Sequence, residues 1–236
     1  MNFDTKYLIR WGIPGWTLLI IVATMYTFNN LDQVLKSSEN IDIISLAGLL
    51  LSAGFIGVPI GYLCHQFYFS VNWIFRFDVV ITLFYFMKIR LLRKNATEDS
   101  INLIKEEYRH KVQDGFKPYN HSGYYHFEAT WHEELIKLDA DKRNYIAERY
   151  RHYLNTIHSL GALLSSLIIA LLINLIFVLK VKEISNLGYA SWTLLLLNCY
   201  LIVAVFAGFR YYSNNLIYFQ AHMLNKIFDK TINNTK

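Results

Sequence analysis

Residues 160–179 read LGALLSSLIIALLINLIFVL, without one charged side chain. At about 1.5 Å per residue, a helix of this length crosses the hydrocarbon core of a bilayer, which is roughly 30 Å thick. Further uncharged runs lie at residues 11–28, 43–65 and 187–209. The four runs predict an all-α, polytopic membrane protein with four transmembrane helices.

Composition supports this interpretation. The chain is 54% apolar and only 17% charged, which is atypical of a soluble domain. The formal net charge of +5 comes from cations that gather beside the apolar runs, where they contact lipid headgroups and set topology. The charge is therefore no strong signal for nucleic acid. Cys64 and Cys199 both lie in apolar runs, which excludes a disulfide framework, and no motif calls for a cofactor.

A charged, histidine-rich segment separates the second apolar run from the third. This layout predicts a helical cytosolic insert between transmembrane helices 2 and 3. The predicted divisions are a first transmembrane helix pair at 11–75, the insert at 76–158, a second pair at 159–210 and an amphipathic cytosolic tail at 211–236.

Within the insert, cap and turn signals predict a helix over residues 98–112 and a loop over 114–123. The pattern Thr130-Trp-His-Glu133 is a capping box and predicts the start of the next helix. Apolar residues then recur at helical spacing and predict one helix, or two separated near Asp139, running directly into the third span. This apolar stripe consists of Trp131, Leu135, Leu138, Tyr145 or Ile146, Tyr150, Tyr153 and Ile157. The tail is predicted to form a helix that returns along the membrane or the insert.

Topology follows from the cations near the ends of the spans. The cluster of Lys88, Arg90, Arg93 and Lys94 follows the first helix pair, and further cations precede the third span and follow the fourth. The positive-inside rule then places both termini and the insert in the cytoplasm of a multi-pass protein of the inner (plasma) membrane.

Two sets of residues are candidates for helix packing. Gly57 and Gly61, with Gly54 beside them, allow close approach of another helix backbone. Asn174 and Asn198 are the conspicuous polar residues within the third and fourth spans. They are expected to hydrogen-bond between helices, within or between subunits, or to provide the polar lining of a pore. No span has a central Asp, Glu, Lys or Arg, which disfavours a proton relay or a voltage sensor.

The densest group of possible metal ligands is formed by His121, His126 and His132, with Glu128 and Glu133 nearby. Their spacing matches no metal-binding signature with a known mechanism. Ordinary loop and helix-cap histidines are the favoured interpretation, and a metal-dependent membrane enzyme is the alternative.

The segment from Arg151 to His158 has six residues between the arginine and the histidine. It resembles the Arg-x(4–6)-His motif of HEPN-type ribonucleases. That resemblance implies a membrane-anchored ribonuclease in which Arg151 and His158 act on the scissile phosphate. The alternative is a basic collar at the membrane surface, which agrees with the position of His158 next to the third span.

The layout as a whole, two spans, a compact basic and aromatic insert and two more spans, resembles the small multi-span membrane proteins that accompany prokaryotic antiviral systems of the CRISPR-associated or CBASS type. The resemblance implies a homo-oligomer that permeabilises or remodels the bilayer in response to a soluble ligand or partner. The leading expectation is therefore a non-enzymatic pore-forming or membrane-tethering effector whose insert docks a cytosolic protein.

Overall fold

The computed structural model describes residues 5–38, 43–74, 101–113, 121–181 and 188–233. Nearly all of them are helical and none of them lies in a strand, so the all-α prediction is confirmed for this part of the chain. The helices are, in chain order, α1 (Thr5–Asn29), α2 (Leu31–Ser38), α3 (Ile43–Ile74), α4 (Glu106–Gln113), α5 (His121–Ile136), α6 (Ala140–Val181) and α7 (Tyr189–Asn233).

Three of these helices are long and apolar enough to cross a membrane: α1 over Arg10–Asn29, α6 within Ala140–Leu179 and α7 within Tyr189–Lys230. They contain the first, third and fourth predicted spans and identify a membrane-embedded protein. The predicted second span falls on α3, which has no charged residue but is not among the three. A total of four passes therefore stays a prediction.

The chain divides into two compact units. The first comprises Met1–Phe69 and His158–Phe209, and we call it the apolar unit. The second comprises Ser70–Ile157 and Arg210–Lys236, and we call it the charged unit. The boundaries between the units fall within helices, so α3, α6 and α7 each contribute residues to both units.

Glycines bring α1 and α3 together in the apolar unit. A Cβ at Gly15 would overlap the carbonyl oxygen of Gly57, and one at Gly61 would overlap the carbonyl oxygen of Trp11. The Trp16 ring lies over Gly57, and its Nε1 donates a hydrogen bond to the Gly54 carbonyl at 2.9 Å. These backbones approach each other at a distance that side chains would prevent.

Two apolar clusters hold the rest of this unit together. One contains Leu18, Cys64 and Ala170, and the other contains Met25, Val178 and Leu195. Many large apolar side chains of the same helices face outward, including Phe55, which is 78% exposed, and Leu196, which is 67% exposed. Outward apolar side chains are the arrangement that a helix bundle needs in a lipid environment.

The charged unit has a core of its own, made by α4, α5, the first part of α6 and the last part of α7. Its most deeply buried side chains, each with 1% exposure or less, are Trp131, Phe127, Val112, Leu224, Phe228, Ile101 and Ile104. The core therefore joins the predicted insert to the predicted tail.

Two of the predicted helix limits in this region are wrong. The helix expected over 98–112 is interrupted in its described part, where Ile104 and Lys105 separate a helical piece at 101–103 from α4. The Asn225 side chain occupies the interruption, since its Oδ1 accepts from the Lys105 amide at 3.0 Å and its Nδ2 donates to the Leu103 carbonyl at 3.2 Å. The capping box at Thr130 starts no helix, because α5 already begins at His121, a residue assigned to the loop.

The boundary near Asp139 is real. Helix α5 ends at Ile136, and α6 begins at Ala140. The Oδ1 of Asp139 accepts a hydrogen bond from the Lys142 amide at 3.0 Å, which is an N-cap. The alternative with two helices is thus confirmed, and α6 then continues without interruption through residues 160–179.

The tail is not a separate helix that turns back. It is the second part of α7, which runs unbroken from Tyr189 to Asn233. Its residues Ala221, Leu224 and Phe228 belong to the core of the charged unit, so the predicted amphipathic face packs on the helices of the insert.

Asp229 makes the stability of the charged unit depend on pH. Lys105 Nζ and Tyr108 Oη donate to its Oδ1, each at 2.7 Å, and these hydrogen bonds lower the pKa of the Asp229 carboxyl. A lowered pKa in the folded state contributes stability above the ordinary pKa of about 4, and this contribution disappears as the pH falls through the folded-state value. We expect the unfolding temperature of Asp229→Asn, measured by circular dichroism in detergent, to fall less steeply with decreasing pH than that of the unchanged protein. Asp141→Asn, at an exposed site, is the control and should show the same fall as the unchanged protein.

Candidate functional site

The interior of the apolar unit contains polar side chains at its centre. Asn174 on α6 is 3% exposed and Asn198 on α7 is 1% exposed. Asn174 follows Leu171 by three positions and Asn198 follows Leu195 by three, so both share the helix faces that form the Met25 cluster. They lie inside one chain, where they are not accessible for hydrogen bonds to another subunit.

Asn198 is not satisfied by the protein. Neither its Nδ2 nor its Oδ1 has a hydrogen-bond partner within the described residues. A buried amide without a partner costs about 1–3 kcal/mol in protein mutation data. The Asn198 amide is therefore a buried polar group whose hydrogen-bonding capacity no described residue meets.

Polar residues also mark one end of the helices. The Ser191 hydroxyl donates to Asn29 Oδ1 at 3.1 Å, and Asn29 Nδ2 donates to the Met25 carbonyl at 2.8 Å. This pair joins the end of α1 to the start of α7.

Two serines are buried on α6. Ser165 and Ser166 lie between His158 and Asn174 in the chain, and the Ser166 hydroxyl donates to the Leu163 carbonyl at 3.0 Å.

At the opposite end, a guanidinium and two imidazoles lie among aromatic rings. Arg10 Nη2 is 3.3 Å from His65 Nε2. Because a guanidinium can only donate, the Nε2 must accept, and the ring proton of the neutral imidazole lies on Nδ1. That Nδ1 is buried and has no partner among the described residues.

His158 completes this group. Its ring centroid lies 4.8 Å from that of Phe69 and 6.4 Å from that of His65. Tyr68 packs directly on Gly161, where a Cβ would overlap its ring.

The two polar ends of α1 are separated by about the thickness of a bilayer core. Arg10 and Asn29 are roughly 28 Å apart along the helix, at about 1.5 Å per residue, and the hydrocarbon core is roughly 30 Å thick.

Polar side chains recur along the apolar unit: Arg10, His65 and His158 at one end, Ser165 and Ser166 next, Asn174 and Asn198 farther along, and Asn29 with Ser191 at the other end. We call this series of side chains the polar path. The path contains hydroxyls, amides and imidazoles. Such groups exchange hydrogen bonds with water or a small polar solute. The apolar side chains of the Leu18 and Met25 clusters lie between these groups.

The ribonuclease hypothesis relies on residues that fall in different units. Arg151 belongs to the charged unit, where its side chain is exposed, whereas His158 belongs to the apolar unit and packs on Phe69. Catalysis by this pair stays a prediction.

The three candidate metal-binding histidines have different surroundings. His132 is exposed, His126 has its Nε2 buried without a partner in the described part of the chain, and the His121 side chain lies outside the described residues. Glu128 joins helices, because Tyr150 Oη donates to its Oε2 at 2.7 Å and Gln220 Nε2 donates to its Oε1 at 3.4 Å. Within the described residues, no three His, Cys, Asp or Glu side chains are grouped as metal ligands.

The basic cluster of Lys88, Arg90, Arg93 and Lys94 also lies outside the described residues. Of the predicted packing glycines, Gly57 and Gly61 lie against α1, whereas a Cβ at Gly54 would have no neighbour within 4 Å. The sequence reasoning missed His65 and Arg10. In the sequence, Arg10 directly precedes the first predicted span and His65 ends the second. These positions do not indicate that the two side chains contact each other.

These features define a helical membrane protein with polar residues in the interior of its apolar unit. Comparisons with family models, with curated proteins and with solved structures find no match to this chain.

Proposed function

We propose that this chain is an oligomeric integral membrane effector with a polar path across the bilayer, which passes small ions slowly at rest and faster when a soluble partner docks on the charged unit. In this proposal the chain crosses the inner membrane four times, with both termini and the charged unit in the cytoplasm. No cofactor and no catalytic step is needed.

The observation that carries the proposal is the buried Asn198 amide within the polar path, which has no hydrogen-bond partner among the described residues. A helix bundle that served only to anchor the chain would be more stable with an apolar residue here, because an unpaired amide among apolar side chains is unfavourable. A path for water and small polar solutes gives the amide hydrogen-bond partners. The imidazoles of His65 and His158 provide similar groups at one end.

Helices α6 and α7, which contribute residues to both units, supply the coupling in this proposal. Residues 140–157 of α6 and 210–233 of α7 belong to the charged unit, and both helices continue into the apolar unit. A partner that shifts these ends of α6 and α7 would move the faces that bear Asn174 and Asn198. A close-packed protein core changes between discrete arrangements rather than deforming continuously, so a shift at one end of these helices displaces the rest of the helix as well.

A flux measurement tests the path. We expect the chain, reconstituted in vesicles, to pass small ions at a basal rate, and Asn198→Leu to lower this rate about tenfold or more, because desolvating a polar solute at this point costs over a kcal/mol. Asn214→Leu, at an exposed position of α7 in the charged unit, is the matched control and should leave the rate unchanged.

Light scattering on the detergent-solubilised chain tests the oligomer. A strictly monomeric species would contradict the oligomeric effector. An oligomer whose vesicles are as tight as protein-free vesicles would exclude the polar path and leave the tethering version.

A further inference from the structure

A groove in the charged unit combines arginines with apolar side chains. It lies between the last turns of α5 and the first turns of α6. The residues that line it are His132, Leu135, Ile136, Arg143, Ala147 and Arg151, together with Asn144 and Tyr150.

The two arginines are available for a ligand. Arg143 and Arg151 are exposed, lie eight positions apart on one face of α6 and have no ion pair among the described residues. Their backbones are about 12 Å apart along the helix axis. Neighbouring cations differ: Lys142 is paired with Asp139, and Lys137 is paired with Glu133 and Glu134.

Between the arginines, the groove is apolar. Ala147 lies midway between them on α6, with Leu135 and Tyr150 beside it. Ile136, the last residue of α5, is 69% exposed. An exposed isoleucine next to two guanidiniums that have no ion pair in the described part of the chain is a surface that gains free energy when a partner covers the apolar part and pairs the charges.

We propose that this groove binds an acidic helical segment of a cytosolic protein, with two carboxylates about two turns apart and an apolar side chain between them. Seven or eight residues of helix span about 10–12 Å, which matches the separation of the two arginines. The carboxylates pair with Arg143 and Arg151, and the apolar side chain packs on Ala147 and Ile136. This inference rests on the proposed function, since it gives the chemistry of the docking partner.

A protein segment fits the groove better than an anionic membrane surface. Recognition of anionic lipid headgroups uses clusters of four to eight cations. Here two guanidiniums line the groove and flank a concave apolar surface, which suits a helix that carries an apolar side chain between two acids.

A designed peptide provides the test. The probe is a fluorescein-labelled, alanine-rich helical peptide with two glutamates seven positions apart and a leucine between them, titrated with the full chain in detergent and followed by anisotropy. We expect Arg143→Gln and Arg151→Gln each to weaken binding about tenfold, as for the loss of a charge-assisted hydrogen-bond pair. Arg149→Gln is the matched control on the same helix, because Arg149 stacks on the Tyr153 ring 5.2 Å away and does not line the groove.

Charge exchange provides the second measurement. The double variant Arg143→Glu, Arg151→Glu should no longer bind the peptide with two glutamates. It should instead bind a matched peptide in which lysines replace both glutamates. Equal binding of a glutamine peptide, or no loss in the arginine variants, would overturn the proposal. So would binding to phosphatidylserine vesicles through these arginines, or a change of oligomeric state in the charge-reversed chain, which would assign the groove to lipid or to a second copy.

The two proposals fail separately. Peptide binding that fails while ion flux depends on Asn198 removes only the docking inference. Tight vesicles together with arginine-dependent peptide binding remove the polar path and keep the docking surface.

Discussion

Trp131→Ala is expected to lower the free energy of unfolding of the charged unit by about 3–5 kcal/mol, the range measured for large aromatic residues removed from cores. The Trp131 side chain is fully buried, and its ring lies 5.7 Å from Tyr150 and 6.2 Å from Phe219, between centroids. It thus contacts both α6 and α7. A loss of this size is a large part of the 5–15 kcal/mol that stabilises a typical domain.

Hydrogen exchange of the full chain in detergent measures this effect. The slowest amides of residues 121–136 should exchange faster in Trp131→Ala, in proportion to the loss of stability. Trp131→Phe should cost much less, because the buried Nε1 has no partner in the described part of the chain and its removal relieves an unpaired donor. Tyr145→Ala is the control, since Tyr145 is 64% exposed. Unchanged exchange in Trp131→Ala would contradict the assignment of this residue to the core.

The sequence predicted this core well because its signal is periodic. The apolar stripe through Trp131, Leu135 and Tyr150 is buried, as expected. Helical spacing is compatible with either Tyr145 or Ile146 on the buried face. The structure shows that Ile146 is buried, with 7% exposure, and that Tyr145 is exposed. Helical spacing of 3.6 residues cannot separate adjacent positions at the edge of a face.

The wrong helix limits have non-local causes. The interruption at Lys105 depends on the side chain of Asn225, 120 positions away, which replaces the missing backbone hydrogen bonds. The composition changes after residue 209, where charged residues begin, and this change predicts a tail separate from the fourth span. However, residues 210–233 contain neither proline nor glycine, so nothing ends α7 there.

The candidate site was predictable only in part. Asn174 and Asn198 stood out because polar residues are rare in apolar runs. The meeting of Arg10 with His65 depends on how α1 and α3 cross, and no local pattern encodes that crossing. The Gly57 and Gly61 pair predicted a close helix approach, but it did not name α1 as the partner.

Gly61→Ala is expected to separate α1 from α3. The new Cβ would overlap the Trp11 carbonyl oxygen, and a backbone atom cannot rotate away as a flexible side chain can. Overpacking costs about 1–3 kcal/mol when the surroundings can shift, and we expect the upper part of this range here. Gly15→Ala, whose Cβ would overlap the Gly57 carbonyl oxygen, should have the same effect from the other helix.

Thiol labelling reports this separation directly. Cys64, 3% exposed, lies one turn after Gly61 and belongs to the cluster that joins α3 to Leu18 of α1. In a Cys199→Ser background, Gly61→Ala and Gly15→Ala should each raise the labelling rate of Cys64 about tenfold or more, because 1.4 kcal/mol corresponds to a factor of ten. Gly54→Ala is the matched control: it lies on the same helix, but its Cβ would meet nothing within 4 Å. If Gly54→Ala exposes Cys64 as much as Gly61→Ala does, then helix propensity rather than close contact with α1 explains the glycines of α3.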